Sequence, residues 1–168
     1  ISEGAEYERH CAFRSPVKGR VSDLKEGKEQ VIDAFVLERL SRAGFQLQEE
    51  ATREELIRRV SIDLTGLPPS IEEVVAFVAD QSQGAYSRLV DRLLGSPRYG
   101  ERMAAWWLDG ARYGDSHGYD NDLENAQWPW RNWTIESFNA NQPYDQFVTW
   151  QLAGDLMPDA SDDQIVAT

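Results

Sequence analysis

The chain has 168 residues, 41% of them hydrophobic, and a net charge of −12 from 29 acidic and 17 basic residues. This length and apolar content are typical of a folded domain with its own core. The negative charge opposes binding to nucleic acid or to anionic lipid, because both need a basic protein surface.

Cysteine content and hydropathy exclude further classes. Cys11 is the single cysteine, so the chain can form neither an internal disulfide nor the two-cysteine motif that attaches haem covalently. No apolar run approaches the ~20 residues that cross a bilayer, so we expect no membrane span. The chain begins at Ile1 instead of methionine and stops soon after a helix-start signal at Ser161. We therefore interpret it as a fragment of a longer protein, truncated at its C-terminus.

The residue pattern changes at about residue 30. Residues 1–30 are charged, contain Pro16 and show no sustained period, which predicts an irregular N-terminal arm or linker. From residue 31 onwards, apolar residues recur at helical spacing, beginning with a stripe from Ile32 that Gly44 ends. We therefore predict one helical domain over residues 31–168.

Local start signals place the later helices. Thr52 and Ser70 are each followed three residues later by a glutamate, the capping-box pattern, and Ser96 before a proline begins a long helix. Shorter helices are predicted over residues 130–138 and 143–152. No segment alternates as a strand does. The predicted fold class is all-α: a compact single domain of about seven or eight helices, with one long acidic and aromatic loop.

That loop begins after the long helix and is rich in carboxylates. Four of them are candidate metal ligands: Asp115, Asp120, Asp122 and Glu124. Hard cations bind six to eight oxygens, and acidic residues at alternate positions can supply several, so we predict a calcium site here. The spacing does not match an EF-hand, which needs glycine at the sixth position and glutamate at the twelfth. The alternative interpretation is a solvated acidic loop.

Tryptophans in the same loop predict a second kind of site. Trp128 and Trp130 flank a proline and, in an extended segment, would offer flat faces to a glycan. Arg131 and Arg112 are the accompanying candidate ligand-binding residues. The alternative interpretation is that the tryptophans anchor the loop to the core.

The carboxylates also allow a catalytic hypothesis. Cleavage of a glycosidic bond needs two carboxyl groups, and Asp115 and Asp122 are the candidates. The spacing of Asp109, Arg112 and Asp115 favours a different role for Asp115. On a continued helix these three residues would share one face and form an ionic brace that fixes the start of the loop.

Several sequence blocks, in this order and spacing, resemble one family. They include "LIRRVSIDLTGLPPSIEEVVAFVAD", "YSRLVDRLLGSPRYGERMAAWWLDGARYGDSHGYDND" and "WPWRNWTIESFNANQPYDQFVTWQLAGDLMP". They resemble the domain of unknown function 1549 family, described as associated with planctomycete-type cytochrome c. Two positions depart from its pattern, since Cys11 replaces the usual tryptophan and Asn132 the usual aspartate.

The resemblance implies a setting and no established activity. Such domains usually lie in large exported proteins, at the cell surface or in the periplasm, beside a cytochrome c domain that carries the haem. Partners are then other domains of the same polypeptide, and a glycan. The leading hypothesis is a binding or scaffolding module with a calcium-binding loop. The alternatives are a glycan-active hydrolase or oxidoreductase, and an electron-transfer docking partner without its own cofactor.

Overall fold

The structure is a computed structural model, and it describes residues 10–17 and 31–168. Within these residues the chain forms helices joined by turns and loops, and no strand, so the predicted all-α fold class is confirmed. The chain divides into two units, residues 1–50 and residues 51–168. The domain boundary predicted at residue 30 stays a prediction.

In the first unit the structure describes one 3-10 helix and one α-helix. The 3-10 helix spans Cys11–Phe13, within the arm predicted to be irregular; the rest of that arm, residues 1–9 and 18–30, lies outside the described residues. Helix α1 spans Val31–Arg42. Gly44 follows with a φ of 74°, in the left-handed region, and lets the Phe45 N–H donate to a carbonyl of the last turn.

The second unit is described throughout and contains seven helices. They are α2 (Arg53–Thr65), α3 (Ile71–Ala79), α4 (Ala85–Leu94), α5 (Pro97–Gly110), α6 (Trp128–Asn139), α7 (Tyr144–Ala153) and α8 (Asp162–Ala167). Capping boxes form at Thr52 and Ser70, as predicted, and also at Ser161. Helix α6 begins two residues earlier than predicted. Pro129 fits its first turn, because no helical hydrogen bond needs its missing N–H there.

An aliphatic cluster lies among α2, α3 and α4. Its buried residues are Ile57, Val60, Phe77, Ala85, Leu89 and Leu93. Arg53 ties the start of α2 to the end of α3: its guanidinium lies 4.1 Å over the Phe77 ring and donates to the carbonyls of Phe77 and Asp80. Apolar packing and the contacts of Arg53 thus hold this cluster together.

An aromatic cluster holds the later helices together. Trp133, Phe147 and Ala167 are buried in it, and Trp107, Trp130, Phe138 and Trp150 pack against them. Trp133 stacks on Phe147 with ring centroids 5.3 Å apart, and the Trp107 ring meets Phe147 edge-on at 5.0 Å. These ring geometries are the favourable ones for aromatic pairs.

Two buried glycines let these helices approach closely. A Cβ at Gly154 would lie 2.0 Å from the carbonyl oxygen of Gln164, and a Cβ at Gly100 would lie 2.5 Å from the side chain of Asn139. Asn139 Oδ1 accepts from the Gly100 N–H at 2.8 Å, so a side chain at the end of α6 caps the start of α5. The close packing of α5 against α6 sets the positions at which the loop between them begins and ends.

Candidate functional site

The loop between α5 and α6 starts from an unusual helix end. Arg112 has a φ of 58°, in the left-handed region. The N–H groups of Arg112 and Tyr113 donate to the carbonyls of Asp109 and Leu108, at 3.1 and 2.9 Å. This pair of bonds is the Schellman motif, in which glycine is the usual left-handed residue. Helix α5 therefore ends before Arg112, although arginine strains the turn.

The ionic brace predicted from helical spacing is wrong for this reason. The chain turns at Arg112, so Asp109, Arg112 and Asp115 do not share a helical face. Asp115 instead forms an ion pair with Arg131 of α6, at 3.7 Å between nitrogen and oxygen. The ionic partner of Asp115 is thus on the helix that follows the loop.

Tyr113 completes a group with this ion pair. Its hydroxyl donates to Asp115, and the Arg131 guanidinium lies 5.9 Å from its ring centroid. The hydrogen bond to Asp115, and then burial, raise the pKa of Tyr113 above its usual value. The phenol therefore stays a neutral donor, and the Tyr113–Asp115–Arg131 group joins the base of the loop to the first turn of α6.

Residues 114–125 form a narrow hairpin beyond this group. Ser116 and Glu124 make an antiparallel bridge. On either side of the bridge, the Asn125 N–H donates to the Asp115 carbonyl at 2.7 Å, and the His117 N–H to the Leu123 carbonyl at 3.2 Å. The loop thus has a definite backbone shape, although residues 115–124 are all exposed.

The four predicted metal ligands occupy different parts of this hairpin. Asp115 lies at its base and Glu124 in the bridge, whereas Asp120 and Asp122 lie at its tip with φ of 56° and 36°. The last two are therefore not alternate residues of an extended segment. Among the described residues, no group of three or more histidine, cysteine, aspartate or glutamate side chains is placed to hold a metal ion. Calcium binding stays a prediction that this geometry does not support.

Asp122 has a structural task at the tip. Hydrogen bonds from the Ser116 hydroxyl and then from the Gly118 N–H hold the pKa of Asp122 below its ordinary value. The Gly118 bond is 2.7 Å long. A carboxyl that acts as general acid needs a raised pKa instead. Within a catalytic pair Asp122 suits only the ionised role, and the catalytic assignment of Asp115 and Asp122 stays a prediction.

A pocket of about 430 Å³, here called the loop pocket, lies where the loop meets α6. It is lined by Ala111, Tyr113, Ala126, Gln127, Pro129, Trp130, Val166 and Thr168. The rings of Tyr113 and Trp130 stack with centroids 6.0 Å apart and planes 26° from parallel. Two segments that are distant in sequence, the loop and the end of α8, thus form one concave surface.

The predicted ligand-binding residues are only partly brought together. Trp130 lines the loop pocket, and Arg131 contacts Tyr113 in its wall. Trp128 is 55% exposed and Arg112 is exposed, and neither lines the pocket. The expectation that the two tryptophans lie in an extended segment is wrong, because both belong to the first turn of α6.

Sequence reasoning missed Tyr113 as a site residue. The local signal was thin: an aromatic residue just after a helix end and two positions before a carboxylate. That pattern does not reveal that the ring packs against Trp130, which lies 17 positions further along the chain.

The chain matches one known protein family. Residues 31–168 match the model of one family, described as PSCyt2, a protein of unknown function (DUF1549). No curated protein and no solved structure matches the chain. Within residues 10–17 and 31–168, no helix has the length and apolar character needed to cross a membrane. Since the match covers most of its length, the chain belongs to the PSCyt2 (DUF1549) family.

Proposed function

We propose that this chain is a binding or scaffolding module of a larger exported protein, working beside a cytochrome c domain, and that it holds a glycan in the loop pocket. The family assignment supports the setting. One observation carries the binding role: the aromatic rings of Tyr113 and Trp130 line the loop pocket together with the polar side chains of Gln127 and Thr168.

The chemistry of a sugar ring fits this combination. A pyranose has apolar C–H faces and hydroxyl groups around its edge, so it needs an aromatic surface with donors and acceptors close by. Tyr113 and Trp130 supply the surface, and Gln127 and Thr168 line the same pocket. The volume of about 430 Å³ lies within the usual range of small-ligand sites, roughly 300–1,000 Å³.

The geometry is also held in place by the protein itself. The Schellman turn at Arg112, the Ser116–Glu124 bridge and the bond from Tyr113 to Asp115 together fix the wall of the pocket. A ligand then loses less free energy to the ordering of the site when it binds. This ordering supports a binding role for the loop.

Filling the pocket tests the proposal. Ala126 is exposed and lines the loop pocket, so Ala126→Phe would place a ring in it without touching the core. Ala105→Phe, at an exposed position of α5 that does not line the pocket, is the matched control. The measurement is native gel electrophoresis through soluble neutral and carboxylated polysaccharides. We expect at least one to retard the wild type and the control but not Ala126→Phe. If none retards the wild type, or if both variants are retarded alike, the proposal fails.

The enzymatic and electron-transfer alternatives stay predictions. The lowered pKa of Asp122 is opposite to that of a general acid. A docking role for the acidic surface would need a partner with a basic surface.

A further inference from the structure

A second pocket, of about 280 Å³, lies among α5, α6 and α7 and shares no residue with the loop pocket. We call it the aromatic pocket, because five of its eight lining residues carry aromatic rings: Tyr99, Trp107, Phe138, Tyr144 and Phe147. The other three are polar and uncharged. Its lining thus contains no charge with which to balance an ionic ligand.

Gln142 lines this pocket and has an unused hydrogen-bond donor. Its Nε2 atom is buried and has no hydrogen-bond partner in the protein. A buried donor in this state costs free energy, since it gives up hydrogen bonds to water without replacing them. The backbone holds it there: Asn141 is left-handed with a φ of 50°, and the Gln142 N–H donates to the Ser137 carbonyl at 3.0 Å.

Aromatic rings form most of the remaining walls. Phe147 packs against Trp107 and Phe138 with centroid distances of 5.0 and 5.4 Å. Trp107 Nε1 already donates to Gln151 Oε1 at 3.0 Å, so the indole has no donor left for a ligand. Tyr144 is 73% exposed, so this wall borders solvent. A ligand would meet flat rings, and the Gln142 amide would turn towards it, which breaks no hydrogen bond of Nε2 because Nε2 has none.

We propose that the aromatic pocket binds an uncharged, single-ring molecule that offers an oxygen to the Nε2–H of Gln142. An ionic molecule would lose hydration there without gaining a counter-charge. The volume, near the lower limit of about 300 Å³ for ligand sites, restricts the ligand to one ring. An aromatic amide and a sugar ring share this chemistry, and the test separates them.

The test observes Gln142 directly in the 168-residue chain labelled with ¹⁵N. Benzamide and methyl α-D-glucopyranoside are added separately, up to about 10 mM. We expect a saturable shift of the Gln142 side-chain NH₂ signals with one of the two probes, which identifies the ring type. Gln151 is the internal control, because its Nε2 is also buried and unpartnered but does not line the pocket. No shift with either probe, or equal shifts at both glutamines, would overturn the proposal.

Matched variants locate the ligand. Gln142 also borders a neighbouring pocket of about 380 Å³ whose lining includes Gln146 but not Tyr144. Tyr144 and Gln146 are both exposed, so alanine at either position should preserve folding. We expect Tyr144→Ala to weaken probe binding about fivefold or more and Gln146→Ala to leave it unchanged. The reverse order would place the ligand in the neighbouring pocket and overturn the proposal.

A further variant separates ligand binding from a structural role of the amide. Gln142→Met keeps the length of the side chain and removes the unpaired donor. We expect probe binding to be lost while the melting temperature stays equal to that of the wild type or rises. A lower melting temperature with probe binding intact would show that the amide serves only the fold.

Discussion

The pocket beside the aliphatic cluster and the aromatic pocket differ in how their polar side chains are paired. The pocket beside the aliphatic cluster is bordered by charged residues, but these are paired with each other: Arg88 with Asp80 at 2.8 Å and Arg92 with Glu73 at 2.5 Å. The aromatic pocket leaves Gln142 Nε2 unpaired. This difference indicates which pocket is the better candidate for binding a ligand. The charged side chains of the first pocket are already paired with each other, whereas the aromatic pocket still has a donor that a ligand could use.

Obstructing the close contact between α7 and α8, beside the aromatic cluster, should have the largest effect on stability. In Gly154→Ala the new Cβ meets the backbone of Gln164 and Trp150 at 2.0 and 2.5 Å, where no flexible side chain can move aside. We expect a loss of about 3 kcal/mol or more in the free energy of unfolding, measured with urea. Gly110→Ala is the control, since a Cβ there has nothing within 4 Å and should be neutral or mildly stabilising. Equal stability of the two variants would contradict the described α7–α8 packing.

Weakening the aliphatic cluster should lower stability without changing binding. Ile57 is fully buried there, so Ile57→Ala should cost about 2–5 kcal/mol in a thermal or urea melt. Ile71→Ala removes the same atoms at a position that is 78% exposed and should cost less than about 0.5 kcal/mol. Below its melting temperature, Ile57→Ala should bind polysaccharide as the wild type does. A folded Ile57→Ala protein that fails to bind would refute the separation of the two clusters.

Removing the backbone strain at Arg112, after the end of α5, should change stability less and in the opposite direction. Glycine takes the left-handed conformation without a Cβ penalty, so Arg112→Gly should raise the free energy of unfolding by about 1 kcal/mol. The reciprocal change, Gly44→Ala at the matching position after α1, should lower it by about 1 kcal/mol, although the site is open. A destabilised Arg112→Gly protein would show that the arginine side chain makes a stabilising contact.

Protonation of Asp122, at the tip of the hairpin, should have the smallest effect on stability. The pKa of Asp122 is lowered on folding, so its contribution is complete above the ordinary carboxyl pKa of about 3.9 and is lost as the pH falls through the folded value. The Gly118 amide shift in an NMR titration should therefore have its midpoint below the ordinary carboxyl pKa of about 3.9. Ser116→Ala removes the largest cause and should return the midpoint towards the ordinary value. A midpoint at or above about 3.9 in the wild type would contradict the described hydrogen bonds.

The sequence predicted helix ends well and the hairpin poorly, for a physical reason. The caps at Thr52 and Ser70 depend on a partner three residues away, so the sequence shows both members. The hairpin depends on bonds between more distant residues, such as Asn125 with Asp115, and on an arginine in a conformation that favours glycine. No local sequence pattern predicts these distant hydrogen bonds or the left-handed arginine.

The dependence on contacts between distant residues also explains which residues of the site could be predicted. Trp130 and Arg131 were predicted because aromatic and cationic side chains are evident candidates for any binding surface, and of the two only Trp130 lines the loop pocket. The other walls of the loop pocket are unremarkable residues such as Ala126, and Val166 comes from α8, about 40 positions further along the chain. A pocket built across separate helices depends on packing that residue types alone do not encode.

We infer that the loop is held in shape by its own hydrogen bonds, so that the pocket beside it is preformed. The most direct test is ¹⁵N relaxation of the backbone amides of residues 115–125, measured in EDTA and again after addition of calcium. We predict that the His117 and Asn125 amides are as ordered in EDTA as those of α6, and that calcium changes nothing. Amides that are flexible in EDTA and become ordered only with calcium would contradict this claim and support the calcium site predicted from the sequence.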